Sequence, residues 1–291
     1  MKFRVRHVTR YHYGAAVSLS HHAAHLRPRG TTRQRQREVS LTIRPDPAVL
    51  TDGGLDYFGN PITFFTIQEP HTTLEIEAGF VVETLPPPPL PPQGGPAWEN
   101  VRDQLAIGSG PGVERALDFL YPSPQIPLLA EAAAYAAPSF SPRRPLIEAV
   151  MDLTQRIFTD FTFDPDATAV GIPLAEVFAG RRGVCQDFAH TGIACLRAIG
   201  LSARYISGYI RTLPPPGQEK LQGADASHAW FAAFVPGWGW LSVDPTNNVL
   251  AGEDHVVVAW GRDYDDVSPI RGVVLGGGDH HIDVEVDVDP F

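Results

Sequence analysis

Residues 2 to 8 set Phe3, Val5 and Val8 against Lys2, Arg4 and Arg6, and similar alternation runs through 34–44 and 72–84. A period of two buries one face of a strand and solvates the other, so these segments predict half-buried antiparallel strands. The proline-rich run Leu85 to Gly95 fits neither a helix nor a central strand, because proline lacks the backbone donor and favours an extended chain. It marks a boundary, which divides the chain into an N-terminal β-domain over 1–84, a linker over 85–97 and a second domain over 98–291. Past it the apolar period becomes helical, at 112–120, 128–136, 145–159 with Pro145 in its first turn, 173–179 and 185–199. Alternation returns at 203–211, 228–235, 239–244 and 255–260. The expected class is therefore α+β, with an antiparallel β-domain followed by a core of helices first and sheet second.

The tail from Ile282 to Asp289 alternates apolar and acidic residues, which predicts a strand with a solvated carboxylate face. Its expected neighbour is the basic segment carrying Arg33, Arg35 and Arg37. A chain of 291 residues with 43% hydrophobic content is long enough for a sizeable core. Its 27 glycines and 28 prolines make up roughly 19% of the residues, below the 25–30% that signals disorder. The formal charge of −10 argues against nonspecific binding to nucleic acid or to an anionic membrane. No leader pattern and no long apolar run is present, so a cytoplasmic location is the default expectation.

The two cysteines form neither a disulfide framework nor a zinc-ligand pattern. On one helix Cys185 and Cys195 lie roughly 15 Å apart along the axis, too far to bridge. Cys195 shares its face with Phe188, Gly192, Leu196 and Ile199, which is a core position. Cys185 stands where a glycine-led turn at Gly183 becomes the amphipathic stretch, and the positive end of a helix favours a thiolate. A base and an orienting carboxylate occur downstream, in Ser227-His228-Ala229-Trp230 and Val243-Asp244-Pro245-Thr246-Asn247. The segments around them read as a hairpin through Val235-Pro236-Gly237. A turn centred on Pro236 sets His228 opposite Asp244, where directly opposed Cβ atoms are roughly 4.5–5.5 Å apart. Cys185 would attack an amide carbonyl, His228 would take the thiol proton and later protonate the leaving amine, and Asp244 would hold the ring. The Cys185 backbone N–H is the natural first oxyanion donor, with Gln186, Tyr209 and Trp230 as candidates for a second donor or a substrate contact.

These motifs, GVCQDFAH from Gly183 to His190, HAW at His228 and DPT at Asp244, resemble the transglutaminase-like core of bacterial cysteine enzymes. His7 to Tyr13, Leu26 to Arg29, Asp56 to Pro61 and Gly261 to Pro269 resemble the N-terminal β-domain and closing segment of a bacterial branch of that family. The resemblance implies a papain-like core, with the nucleophile's helix packed on an antiparallel sheet and Cys185, His228 and Asp244 as the triad. It implies a peptide or protein substrate handled through a thioester. Hydrolysis is the expected fate, with acyl transfer to an amine, or a non-catalytic binding module, as alternatives. No cofactor is called for.

Asp187, early in the helix, suits its N-terminal dipole as well as a substrate contact. His190 is turned about 140° from Cys185 around the helix and is a poor base. Asn247 could support Asp244 or end the strand. His255, Arg262, Asp263, Tyr264 and Asp266 could line a pocket for polar groups. His21, His22 and His25, with His280 and His281, lack the ligand spacing of a metal site, so no metal is expected.

Overall fold

The computed structural model describes residues 1–165, 172–212, 223 and 225–291. The alternating N-terminal segment becomes one strand, β1 (Lys2–Ala24), which runs far past its predicted end and serves as the spine of the first sheet. β2 (Gln34–Arg44), β3 (Val49–Leu55), β4 (Pro61–Ile67) and β5 (His71–Thr84) follow, in the order β2-β5-β1-β4-β3. β5 pairs with the first half of β1 and β4 with the second, so together they act as one interrupted strand.

The helical region contains α1 (Trp98–Ile107), α2 (Val113–Ala116), α3 (Ala130–Ala136), α4 (Leu146–Asp160), a short parallel pair β6 (Thr162–Phe163) and β7 (Arg182–Gly183) flanking α5 (Leu174–Gly180), and α6 (Cys185–Ala198). The second sheet comprises β8 (Ala203–Ile210), β9 (Ser227–Val235), β10 (Gly239–Asp244), β11 (Val249–Leu250) and β12 (His255–Gly261), ordered β11-β10-β9-β8-β12 and antiparallel throughout. After α7 (Tyr264–Val267) come β13 (Ile270–Gly276) and β14 (His280–Pro290). α1, with only Val101 and Leu105 buried, carries too thin an apolar stripe to announce itself in the sequence.

The last two strands leave the core segment and return to β1. β14 pairs with it from Phe3↔Pro290 to Tyr13↔His280, and β13 from Val17↔Gly276 to Ala24↔Ile270. The acidic tail therefore does not lie beside Arg33, Arg35 and Arg37. Its charges meet the other basic strand: Arg10 bridges Glu285 at 2.6 Å, and Arg6 lies 3.7 Å from Glu285 and 3.9 Å from Asp287, while Glu75 and Glu77 of β5 bridge the same two arginines from the opposite edge. β2 is screened from the tail by β5, whereas β1 has a free edge for it. The same register separates the two histidine groups, because His281 faces His12 while His21 and His22 face Val273 and Gly272.

The pairing of the first sheet is interrupted at one level: β1 runs through Gly14–Ala16 with its register shifted, and its partners break between Ile67 and His71 and at Gly276–Gly278. All three glycines of the last run have positive φ, a conformation open to glycine. The sheet thereby divides its burial. Phe3, Val5, Phe80, Val82, Val286 and Val288 join the main core with the helices and second sheet, while Leu26, Ile43, Phe65, Ile67, Leu74 and Ile76 form a separate cluster.

α6 lies on the second sheet, with α3, α4 and α5 packed around it. Gly192 permits the close approach, since a Cβ there would sit 2.7 Å from Phe231 Cζ. The outer edge of β12 is closed by side-chain amides. Gln34 donates to Val257 O (2.7 Å) and accepts from Val257 N (2.8 Å), and Asn60 does the same with Trp260 O (2.8 Å) and N (2.9 Å). Two polar residues thus satisfy backbone groups that a neighbouring strand would otherwise take.

Candidate active site

Gly183 and Asp187 build the start of α6. Asp187 Oδ2 accepts from Val184 N at 2.8 Å, and a Cβ on Gly183 would press on the Asp187 side chain, 2.8 Å from its Cβ. The carboxylate so held caps the helix whose first residue is Cys185. The two thiols differ sharply. Cys185 is half-buried, whereas Cys195 is fully buried and its pKa is pushed far up, chiefly by burial, against the smaller pull of Arg156 and Arg181.

His228 and Asp244 come from the β9–β10 hairpin, but not in the expected register. Val235 accepts from Trp238 N (3.1 Å), Gly237 takes φ 75°, and Val235 faces Gly239, so the turn is centred on Gly237. The positive φ after proline is what this turn requires, and glycine supplies it. Relative to a turn on Pro236, each partner moves by two residues, which keeps every side chain on its predicted face. The histidine and carboxylate meet diagonally rather than directly: His228 Nε2 donates to Asp244 Oδ2 at 2.7 Å.

Asp244 is fully buried and accepts five hydrogen bonds. Oδ2 receives His228, Asn247 Nδ2 (2.7 Å) and His255 Nε2 (3.1 Å); Oδ1 receives Thr246 N (2.9 Å) and Asn247 N (3.3 Å). Burial alone would raise this carboxyl's pKa, but the bonds from His228 and His255 and the charge of His228 hold it well below the usual carboxylate range. Asn247 therefore supports Asp244. His228 is 8% exposed, and burial is the strongest single influence against its charge. Hydrogen bonds to Asp244 and Cys185, with the charges of both, outweigh it and raise the ring's pKa to about 9. With Nε2 committed to Asp244, Nδ1 is the nitrogen left for the Cys185 sulfur.

A pH dependence of stability follows. The ring titrates near 6.5 when unperturbed and at about 9 in the fold, so between these values the folded chain binds more protons than the unfolded one. The resulting stabilisation is complete below 6.5 and is lost as pH rises through 9. Urea unfolding is expected to show wild-type stability falling over this window by on the order of 3 kcal/mol, with a flatter profile for His228→Gln. Parallel profiles would exclude His228 as the titrating group.

Two neighbours had no signal in sequence spacing. His255 Nδ1 accepts from Gly252 N (3.2 Å), which places its proton on Nε2 and directs it to Asp244. His228, Asp244 and His255 are close enough to suggest a cation site, but these nitrogens already face the carboxylate as donors, so proton-bridged contacts fill the space a cation would need. Tyr205, buried on β8, has its pKa pushed far up, first by burial and next by the charge of Cys185, which places the phenol near the thiol. Only a folded sheet could bring either residue to this site.

The other sequence candidates are placed as follows. Gln186 is half-buried beside Cys185 as the second residue of α6. Tyr209 does not present a free hydroxyl, because its OH bonds His7 Nδ1 at 2.8 Å and ties β8 to the first sheet. Trp230 stacks on His228, with ring centroids 5.9 Å apart, and meets His255 edge-on at 5.1 Å. His190 is buried and accepts from Tyr264 N (3.2 Å); burial first, and Arg197 second, lower its pKa to about 3. Asp263 and Asp266 are engaged at the start of α7, Asp263 accepting from Asp265 N (3.0 Å) and Asp266 bonding Arg262 Nε (2.8 Å). These contacts make that segment a folded turn around Arg262.

A helix beginning on a thiol, laid over an antiparallel sheet that supplies a carboxylate-bound imidazole, is an α+β arrangement of the papain-like kind. Residues 133–245 match the transglutaminase-like superfamily, and residues 3–83 match the bacterial transglutaminase-like N-terminal region. The chain is 43% identical over 298 residues to Uncharacterized protein Rv2569c of Mycobacterium tuberculosis, covering 100% of this chain and 93% of the relative. It is also 38% identical over 90 residues, 31% of this chain and 14% of the relative, to a protein-glutamine gamma-glutamyltransferase of Pseudomonas aeruginosa. A solved Cytophaga hutchinsonii structure, described as a candidate cysteine protease, shares the fold with TM-score 0.74 at 21% identity, over 99% of this chain and 90% of that one. The chain belongs to the transglutaminase-like superfamily.

Proposed function

We propose that the protein is a cysteine enzyme that acts on an amide bond of a peptide or protein through a thioester on Cys185. The observation that carries this reading is His228, held between the thiol and a buried carboxylate and raised to about 9. A protonated ring beside the sulfur stabilises the thiolate as an ion pair. The thiolate attacks the carbonyl, the Cys185 backbone N–H and Gln186 face the developing oxyanion, and His228 returns its proton to the leaving amine. Asp244 keeps the ring in one tautomer, while His255 and Asn247 position Asp244.

Water then resolves the thioester, with His228 as its base, which makes hydrolysis the leading reading. Acyl transfer to a primary amine is the second. It is favoured by the local similarity to a protein-glutamine gamma-glutamyltransferase. The discriminating experiment incubates the enzyme with a peptide library and a competing primary amine and identifies products by mass spectrometry. Free acid is expected to dominate. Products consisting of amine adducts alone would replace hydrolysis by transfer, and no product of either kind would favour a binding module.

A further inference from the structure

A cavity of about 700 Å³ lies between the first sheet and the side of the second sheet that carries Arg204, Trp230, Trp240 and His255. Its size is that of a small-molecule site. Cys185, His228 and Asp244 are not among its lining residues, so it is distinct from the thiol site, although His255 and Trp230 form part of its wall. Among the described residues, Arg29, Arg33, Arg115 and Arg204 line it with a single carboxylate, Asp118, in a chain whose net charge is −10. A cationic cavity in an acidic protein concentrates anions.

Arg204 carries the argument. Arg197, the other deeply buried arginine among the described residues, donates to Phe119 O (3.0 Å), Ser123 Oγ (3.1 Å), Ala203 O (2.9 Å) and Arg262 O (2.6 Å). Arg204 is 9% exposed, and among the described residues its side chain makes neither a hydrogen bond nor an ion pair, its Nε being buried without a partner. Its guanidinium instead lies 3.8 Å from the Trp260 ring centroid and 4.4 Å from that of Trp240. Arg29 stacks on Trp260 at 3.3 Å. Stacking covers the flat faces of a guanidinium and leaves its N–H edge for a planar oxyanion. Two further buried donors on this cavity have no partner, Arg29 Nε and Trp230 Nε1. Burial, and secondarily the charge of Arg29, press the Arg204 pKa well below its ordinary value. Buried donors without acceptors and two neighbouring like charges are costly arrangements, and one anion relieves both.

We propose that this cavity binds a small molecule through a carboxylate or phosphate group whose oxygens lie against Arg204 and Arg29. The site stands whether or not Cys185 is a nucleophile. Its test is titration of the wild-type protein with inorganic phosphate and, separately, with succinate, at ionic strength held constant with sodium chloride. The readouts are tryptophan fluorescence, since Trp230, Trp240 and Trp260 line the cavity, and Tm. A saturable response is expected with at least one anion, and the stronger identifies the preferred group. Arg204→Met should weaken that affinity roughly tenfold or more. If the methionine variant does not fold, Arg204→Lys, which keeps the charge but loses the fork, should weaken it in the same direction. No saturable response to either anion, or unchanged affinity in the variant, would overturn the proposal, because an arginine that only packs against tryptophan would leave binding untouched.

Discussion

Cys185→Ala is expected to remove the amide turnover of the wild type while leaving the fold intact. The residue is half-buried at the start of α6, and the cap formed by Asp187 and Val184 does not depend on the sulfur, so the unfolding midpoint should move little. The rate should fall by a factor on the order of 10⁴–10⁶, as for loss of other covalent nucleophiles. His228→Ala should cost nearly as much, because it removes the counter-ion of the thiolate and the acid for the leaving group in one step. It should also slow iodoacetamide labelling of Cys185 near neutral pH, a readout independent of substrate. Persistent turnover in the cysteine variant would sink the mechanism; unchanged labelling in the histidine variant would sink the ion pair.

Gly208→Ala is expected to damage stability and site together. Gly208 lies between His228 on β9 and Val257 on β12. A Cβ there would fall well inside contact distance of Val256 O and 2.8 Å from Trp230 Cη2. One obstacle is backbone and the other a fully buried indole, so neither yields without moving β12 or the ring that stacks on His228. Overpacking of this kind costs about 3 kcal/mol or more when the backbone has to shift. The movement would carry His255 away from Asp244. Denaturant unfolding should show the loss, and Cys185 labelling should slow with it. A wild-type midpoint would mean that the strands separate more easily than their packing indicates.

Much of the site was readable before the fold. The motif around Cys185, the histidine of the first hairpin strand and the aspartate of the second are local patterns, and an error of two in the turn left them on their predicted face because strand parity is insensitive to even shifts. His255 and Tyr205 were not readable in their present roles. Each reaches the site from a strand on the far side of β9, and no spacing in the chain encodes which strands become neighbours. The same holds for β13 and β14. The alternation of Ile282 to Asp289 announced β14, and its acidic face announced a basic partner, but two basic segments were available and only the free edge of β1 decided between them; β13, with no such alternation, was not announced.

The sequence by itself marked the strongly periodic strands and helices, the faces they bury and the residue types that can do thiol chemistry, because these depend on neighbours a few positions apart. The tertiary structure alone decided that residues near both ends share one sheet, that a second imidazole and an asparagine hold Asp244, and that a buried arginine faces a cavity without an acceptor. Those outcomes depend on contacts across the whole length of the chain, where burial and hydrogen-bond satisfaction select one pairing among several that local pattern allows equally.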